Sequence, residues 1–266
     1  MTCGTETFHA LPHALPTIER VETVNPFAGR ARYSDRAQQY AQARPSYPPA
    51  AIDWILSNVP ARPRTLDVGA GTGIATRLLA GAGARVTALE PNLPMIVAGG
   101  FAPTICAAGE RLPVRDGMLD LVTLFNAFHW LKAEVALREI RRVLRPEGKL
   151  AVVWNDWDHA DAFTHEFVTL MRSYAGDFPP EDRDAEAAPL YASEHIASLE
   201  RRDFTNRHVL DAPGLRARIE SMSYIPLEGP DAEAMRSRLT ALFLRYAREG
   251  VVVHHYTTCV FVAAMR

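Results

Sequence analysis

The stretch Thr65–Gly73 reads TLDVGAGTG. A short apolar run, RTLDV, enters three glycines at 69, 71 and 73, and GIATRLLAGAG follows with helical spacing. Glycine reaches positive φ without a Cβ penalty, so the backbone can turn sharply here and come close to a ligand. A strand that turns through glycines into a helix is half of a βα unit. Successive units of that kind close only into a parallel sheet with helices on its faces.

The pattern repeats along the chain. RVTALE reads as a second strand, NLPMIVAGG as a short helix, PTICAA as a third strand and MLDLVTLFNAF as a long apolar fourth. Lys132 to Leu144 places Leu137, Ile140 and Leu144 at helical spacing; Pro146 and Gly148 stop it, and KLAVVWN follows as a strand. Upstream, Pro48 and Pro49 open a helix facing inward through Ile52, Ile55, Leu56 and Val59. The expected class is therefore α/β, a doubly wound and mostly parallel sheet.

After Asn155 the alternation breaks. One amphipathic helix carries Phe163, Phe167, Leu170, Met171 and Tyr174. The acidic stretch GDFPPEDRDAEAAP reads as a loop. A strand is expected near Phe204 to Leu210, helices over Gly214 to Met222 and Asp231 to Ala247, and a last strand HHYTTCVFVAA. The expected division is 1–24 a flexible N-terminal arm, 25–155 a core with an N-terminal lid helix, 156–202 an insert shaping a pocket, and 203–266 completion of the sheet.

Composition narrows the function. The chain of 266 residues has a formal net charge of -2 and 48% hydrophobic residues. That charge gives no general attraction to nucleic acid, and no basic run with interleaved aromatics appears. Cys3, Cys106 and Cys259 form no close pair, so neither a zinc site nor a disulfide framework is expected. No apolar run approaches the ~20 residues of a membrane span, and residues 1–24 lack the features of a secretory signal. Cytoplasmic location is the expectation. No HExxH spacing occurs, and no metal is expected.

The glycine turn also selects its ligand. A nicotinamide turn reads GxGxxG; Gly69 and Gly71 fit, but Ile74 stands at the third position. Asp67 would repel a diphosphate and suits a cation. No GKS or GKT follows, so a Walker phosphate loop is absent. Glu90 ends the second strand about 20 residues after the glycines, where a carboxylate can accept both ribose hydroxyls. An adenosine ligand without phosphates fits, and S-adenosylmethionine has the ribose, the adenine, a cationic sulfonium and an amino-acid tail.

Five stretches together resemble one family. DVGAGTG, ALEPNLPMI, GERLPVRDGMLDLVTLFNAFHW, REIRRVLRPEGKLAVVWN and, upstream, YSDRAQQYAQARPSYP occur in order over roughly residues 27–155. They resemble class I S-adenosylmethionine-dependent methyltransferases, in the type 11 small-molecule subgroup that includes trans-aconitate methyltransferase-like enzymes. The resemblance implies a Rossmann-like seven-stranded sheet with an antiparallel last strand and a helical insert or cap. It puts Asp67, Gly69, Gly71 and Gly73 against the methionine part of the cofactor, Glu90 on the ribose, Pro91 beside the adenine, and Gly109 and Glu110 at the adenine edge. Gly109 stands where alanine is commoner. Asn126 would lie beside the sulfonium; Tyr33, Tyr40 and Arg44 would close the pocket, with Arg44 pairing the methionine carboxylate.

His129, at the carboxyl end of the fourth strand, is the candidate general base, although the His-Trp pair recurs in the subgroup among enzymes with different substrates. Trp130 and Trp154 read as pocket wall or core. The implied reaction is O-, N- or C-methylation of a small organic acceptor, in metabolite or natural-product chemistry. A homodimer is the expected form of any self-association. Two other readings stay open: a nicotinamide-dependent oxidoreductase, and a cofactor-binding protein without turnover.

Overall fold

A computed structural model describes residues 33–34, 37–176 and 183–266. The expected arm over 1–24 lies outside the described residues. Seven strands form one sheet: β1 (Arg64–Val68), β2 (Arg85–Leu89), β3 (Thr104–Ile105), β4 (Leu119–Phe125), β5 (Leu144–Trp157), β6 (Ile196–Leu210) and β7 (Val252–Met265). Their order is β3-β2-β1-β4-β5-β7-β6. The first five are mutually parallel, and β7 runs antiparallel between β5 and β6. The expected doubly wound, seven-stranded sheet with an antiparallel last strand is what the chain forms.

Both faces of the sheet are covered, which is why the strands read as continuous apolar runs. Leu66, Val122, Leu124 and Val152 face one layer, where α5 (Ala133–Val143) buries Leu137 and Ile140. Leu121, Phe125, Ala151 and Val153 face the other, against α2 (Pro49–Ser57) and α3 (Ile74–Gly81), whose Ile52, Ile55 and Leu79 are buried. Each fully buried side chain of this size contributes about 1.5–3 kcal/mol. Arg141 and Arg142 in the last turn of α5 complement its dipole. A third cluster joins α6 (Ala162–Arg172), α8 (Ala212–Glu220) and α9 (Gly229–Tyr246) over Trp157 and Tyr256. The Asp161 and Asp211 carboxylates cap α6 and α8, accepting from the Thr164 and Gly214 amides at 2.8 Å each.

Several element boundaries differ from expectation. The acidic stretch read as a loop contains a helix, α7 (Arg183–Ala192), with Asp184 and Glu186 in its first turn and Pro189 inside it. Pro189 and the charge run masked a segment whose Ala187 and Leu190 are buried. β6 starts at Ile196 rather than near Phe204, because it is an edge strand paired along its length to β7 while Glu200, Arg201, Arg202 and Asp203 face solvent. Main-chain pairing of that kind leaves no hydropathy alternation. β5 begins at Leu144, where Leu144 pairs Leu119, and β7 begins at Val252, two residues before the expected strand.

The sheet reverses its build direction between β1 and β4. Their carboxyl ends diverge into helices on opposite sides, and the crevice between them is where ligands bind in this architecture. Among the described residues no helix is long and apolar enough to cross a membrane.

Candidate cofactor and acceptor pocket

The glycine turn forms the floor of that crevice. Gly69, Gly71 and Gly73 have φ of 70, 58 and 75°, a region in which a side chain is strained. Gly69 has a second constraint: an added Cβ would stand 2.6 Å from the Ala127 Cβ. The Gly69 and Ala70 amides donate to the Leu89 carbonyl at 2.8 and 3.1 Å, fastening the turn to the end of β2.

Glu90 completes the fastening. Its carboxylate accepts from the Gly71 amide at 2.8 Å and the Asn92 amide at 2.9 Å, and the residue is 7% exposed. The carboxylate also lines the cavity. Asp67 lies deeper, 1% exposed. Its oxygens accept from the Thr76 hydroxyl at 2.6 Å and the Thr123 hydroxyl at 2.9 Å. Burial pushes this carboxyl up to about 6 against the pull of those hydroxyls. Asp67 thus acts on a ligand as a buried negative field beneath the turn.

Asn126 closes β4 at φ 49°, an uncommon conformation for a residue with a side chain and one that concentrates at functional sites. Three bonds hold it: its amide donates to the Val153 carbonyl at 2.8 Å, its Oδ1 accepts from the Asn155 amide at 3.2 Å, and its Nδ2 donates to the Tyr47 hydroxyl at 3.1 Å. Asn155 extends the network, donating to the Ser46 carbonyl and accepting from Asn206 and Thr258. The turn that carries Ser46 and Tyr47 is thereby tied to the ends of β4 and β5.

The side of the crevice formed by α1 (Ala37–Ala43) is aromatic. Tyr40 lies in the middle of α1, and Arg44 directly follows it. The Tyr33 ring packs edge-on against Tyr40 at 5.3 Å and Trp130 at 6.4 Å. The Arg44 guanidinium stands 4.4 Å from the Tyr40 ring centroid and donates to the Ser221 carbonyl at 3.2 Å.

One cavity of about 420 Å³ joins these parts. Tyr33, Tyr40, Arg44, Asp67, Gly69 and Gly71 line it, and so do Glu90, Pro91, Gly109, Asn126 and His129. Gly73 does not; it starts α3, with the Phe101 ring where its Cβ would be. Glu110 also stands outside the lining and accepts from the Lys132 amide at 3.3 Å. Trp130 lines the cavity, while Trp154 is core at 1% exposure.

The family follows from comparison with known proteins. The type 11 methyltransferase-domain model matches residues 66–152. An uncharacterized methyltransferase of Schizosaccharomyces pombe is 30% identical over 221 residues, covering 79% of this chain and 86% of that protein. This chain belongs to the class I S-adenosylmethionine-dependent methyltransferases. An uncharacterized methyltransferase of Mycobacterium tuberculosis is 38% identical over 136 residues, 50% of this chain and 55% of that protein. The chain thus spans about half the length of that mycobacterial relative. Among solved structures, a candidate type II methyltransferase from Anaeromyxobacter dehalogenans superposes with TM-score 0.63 at 23% identity, covering 83% of this chain and 96% of the other. A candidate methyltransferase from Anabaena variabilis gives TM-score 0.60 at 21% identity, with 84% and 98% covered. At these identities the structures show a shared fold.

His129 occupies a single 3-10 turn, Phe128–Trp130, after β4 of this methyltransferase. Its Nδ1 accepts from the Trp154 indole N–H at 3.3 Å. An indole N–H only donates, so the neutral ring carries its proton on Nε2. Burial, with the Arg183 guanidinium adding to it, pushes this imidazole down to about 3. The ring is neutral at physiological pH and offers a donor. Between its ordinary value near 6.5 and its folded value, the unfolded chain binds a proton that the folded chain does not. Stability is therefore lost as pH falls from about 6.5 toward 3. His208, lowered to about 4, adds a loss of the same sign. The expected result is that His129→Gln loses less of its thermal midpoint than the wild type between pH 7 and 4. Parallel pH curves would show that His129 protonates freely in the folded methyltransferase.

The cavity also holds residues that the sequence did not single out. Tyr47, Asn155 and Trp157 come from the lid turn and the end of β5. Arg183 and Glu186 come from α7; Arg218, Tyr224 and Tyr256 come from the C-terminal part. A signal existed for Tyr47, within the RPSYP turn. For the others the signal is tertiary: an arginine on an amphipathic helix looks alike whether it faces water or a cavity.

Proposed function

We propose that this methyltransferase transfers a methyl group from S-adenosylmethionine to a small organic molecule, with the reaction at the β1–β4 crevice. The observation that carries the reading is Glu90. It binds the Gly71 amide of the glycine turn and lines the same cavity as Asn126 and the Tyr33–Tyr40 lid. Two carboxylates under the turn, Asp67 and Glu90, favour a cationic adenosine over a dinucleotide diphosphate. In this reading Glu90 accepts the ribose hydroxyls, Pro91 and Gly109 border the adenine with Glu110 at its rim, and the turn holds the methionine part. Arg44 pairs its carboxylate, and Asn126 stands by the sulfonium.

When bound, the cofactor supplies an electrophilic methyl on a positive sulfur. The chain's own contribution is to align the acceptor behind that methyl and keep water out. The Tyr33, Tyr40 and Trp130 rings close the lid side, and the strained Asn126, held at three points, gives a rigid edge. His129 presents Nε2–H, so we assign it to positioning an acceptor oxygen or nitrogen rather than to deprotonating one. The partners are a small-molecule acceptor and, for self-association, a homodimer; nucleic acid is disfavoured by the net charge of -2, and the location is cytoplasmic. Calorimetry tests the cofactor half: S-adenosylhomocysteine is expected to bind one-to-one and NADH not at all. Binding of NADH without S-adenosylhomocysteine would favour the oxidoreductase reading instead.

A further inference from the structure

Arg218 sits in the last turn of α8 and is 3% exposed, yet it lines the cavity. Its Nε donates to the Tyr256 hydroxyl at 3.4 Å, and its guanidinium carbon stands 4.9 Å from the Trp157 ring centroid. Its Nη1 has no hydrogen-bond partner among the described residues. Among those residues it also forms no ion pair. Arg44 is tied to the Ser221 carbonyl just past the same helix, and His208 and His254 face each other across the β6–β7 pair. Arg218 helps hold both imidazoles neutral.

A guanidinium cannot shed its proton in a protein, and a buried charge without a partner is strongly unfavourable. A fold that places one at a cavity wall leaves it for something that enters the cavity. The position says what. Glu90 follows β2, on one side of the glycine turn, whereas Arg218 packs on Trp157 of β5 and Tyr256 of β7, on the other. Trp157, Tyr224 and Tyr256 give this end aromatic walls.

We propose that Arg218 anchors an anionic group of the methyl acceptor, and that the acceptor is a small organic acid with a planar or apolar body. This rests on the reading that the cofactor fills the Glu90 end. The anion is held by a fork of N–H donors suited to a carboxylate, while the rings of Trp157 and Tyr256 pack on the body.

The test uses the full chain, with and without saturating S-adenosylhomocysteine. Benzoate, trans-cinnamate and hexanoate are titrated beside their amides. At least one acid is expected to bind about tenfold or more tighter than its amide, as a charge-assisted pair predicts. Arg218→Met is expected to lose that preference, keep S-adenosylhomocysteine affinity within about twofold, and melt at or above the wild type, because it removes an unpaired buried charge. Arg218→Lys is expected to keep part of the preference. Equal binding of acids and amides, or no acid binding, overturns the proposal. A parallel loss of S-adenosylhomocysteine affinity in Arg218→Met assigns the residue to the cofactor, and a lower melting point assigns it to the scaffold; both overturn it. Failure of the wild type to bind S-adenosylhomocysteine strikes the cofactor reading alone, since the acid titration without it still decides Arg218.

Discussion

Replacing Glu90 with alanine is expected to weaken S-adenosylmethionine binding by about a hundredfold or more. Two hydrogen bonds from ribose hydroxyls to a charged acceptor are worth about 1.5–3 kcal/mol each, and both go. The same change frees the Gly71 and Asn92 amides that the carboxylate holds at 2.8 and 2.9 Å, so the turn loses its fastening to β2. Glu90→Gln is not a benign control. One of its two ends is an NH2 donor, and each end of the native carboxylate faces an N–H. Its affinity should lie nearer alanine than wild type. Calorimetric titration of the three proteins reads this out; an unchanged dissociation constant in Glu90→Ala would remove Glu90 from the cofactor.

Gly69→Ala is expected to act on the fold. Two costs combine: a side chain held at φ 70° and a Cβ 2.6 Å from that of Ala127. Strain at positive φ and overpacking in a tight site are each worth about 1–3 kcal/mol. A loss of about 2–6 kcal/mol lowers the melting point by roughly 5–25 °C for a chain of this size. Gly71→Ala makes the contrast. Its new methyl meets only the flexible end of Met95 at 3.4 Å and the Tyr40 ring at 3.9 Å, inside the cavity. It shares the strain of a positive φ, 58°, but not the clash, so it should lose about 1–3 kcal/mol, less than Gly69→Ala, and lose cofactor affinity as well. Calorimetric melting and binding on both variants separate the effects; a Gly69→Ala protein that melts with the wild type would mean that the turn relaxes away from Ala127.

The parts of this molecule that were legible in its sequence are those built by local geometry. Three glycines between a strand and a helix imply a sharp turn. A carboxylate closing the next strand must face the same crevice, because parallel strands end together. Tyr33, Tyr40 and Arg44 sit close in sequence on one lid. Asn155 was hidden because its importance is a network reaching Asn126, Ser46, Asn206 and Thr258, which are distant along the chain. Arg183 and Glu186 were hidden in a segment whose proline and acids look like a loop. Arg218 was hidden because only packing against Trp157 and Tyr256 distinguishes it from a surface arginine. Gly73 and Glu110 lie within motifs but outside the cavity lining, Gly73 against the Phe101 ring and Glu110 on the Lys132 amide.

A crystal structure with S-adenosylhomocysteine bound tests the central claim most directly. The account predicts the ribose hydroxyls on Glu90, the homocysteine part along Gly69 and Gly71, and the sulfur beside Asn126, open toward Trp157 and Arg218. Density for the ligand elsewhere, or a ribose turned away from Glu90, would contradict it.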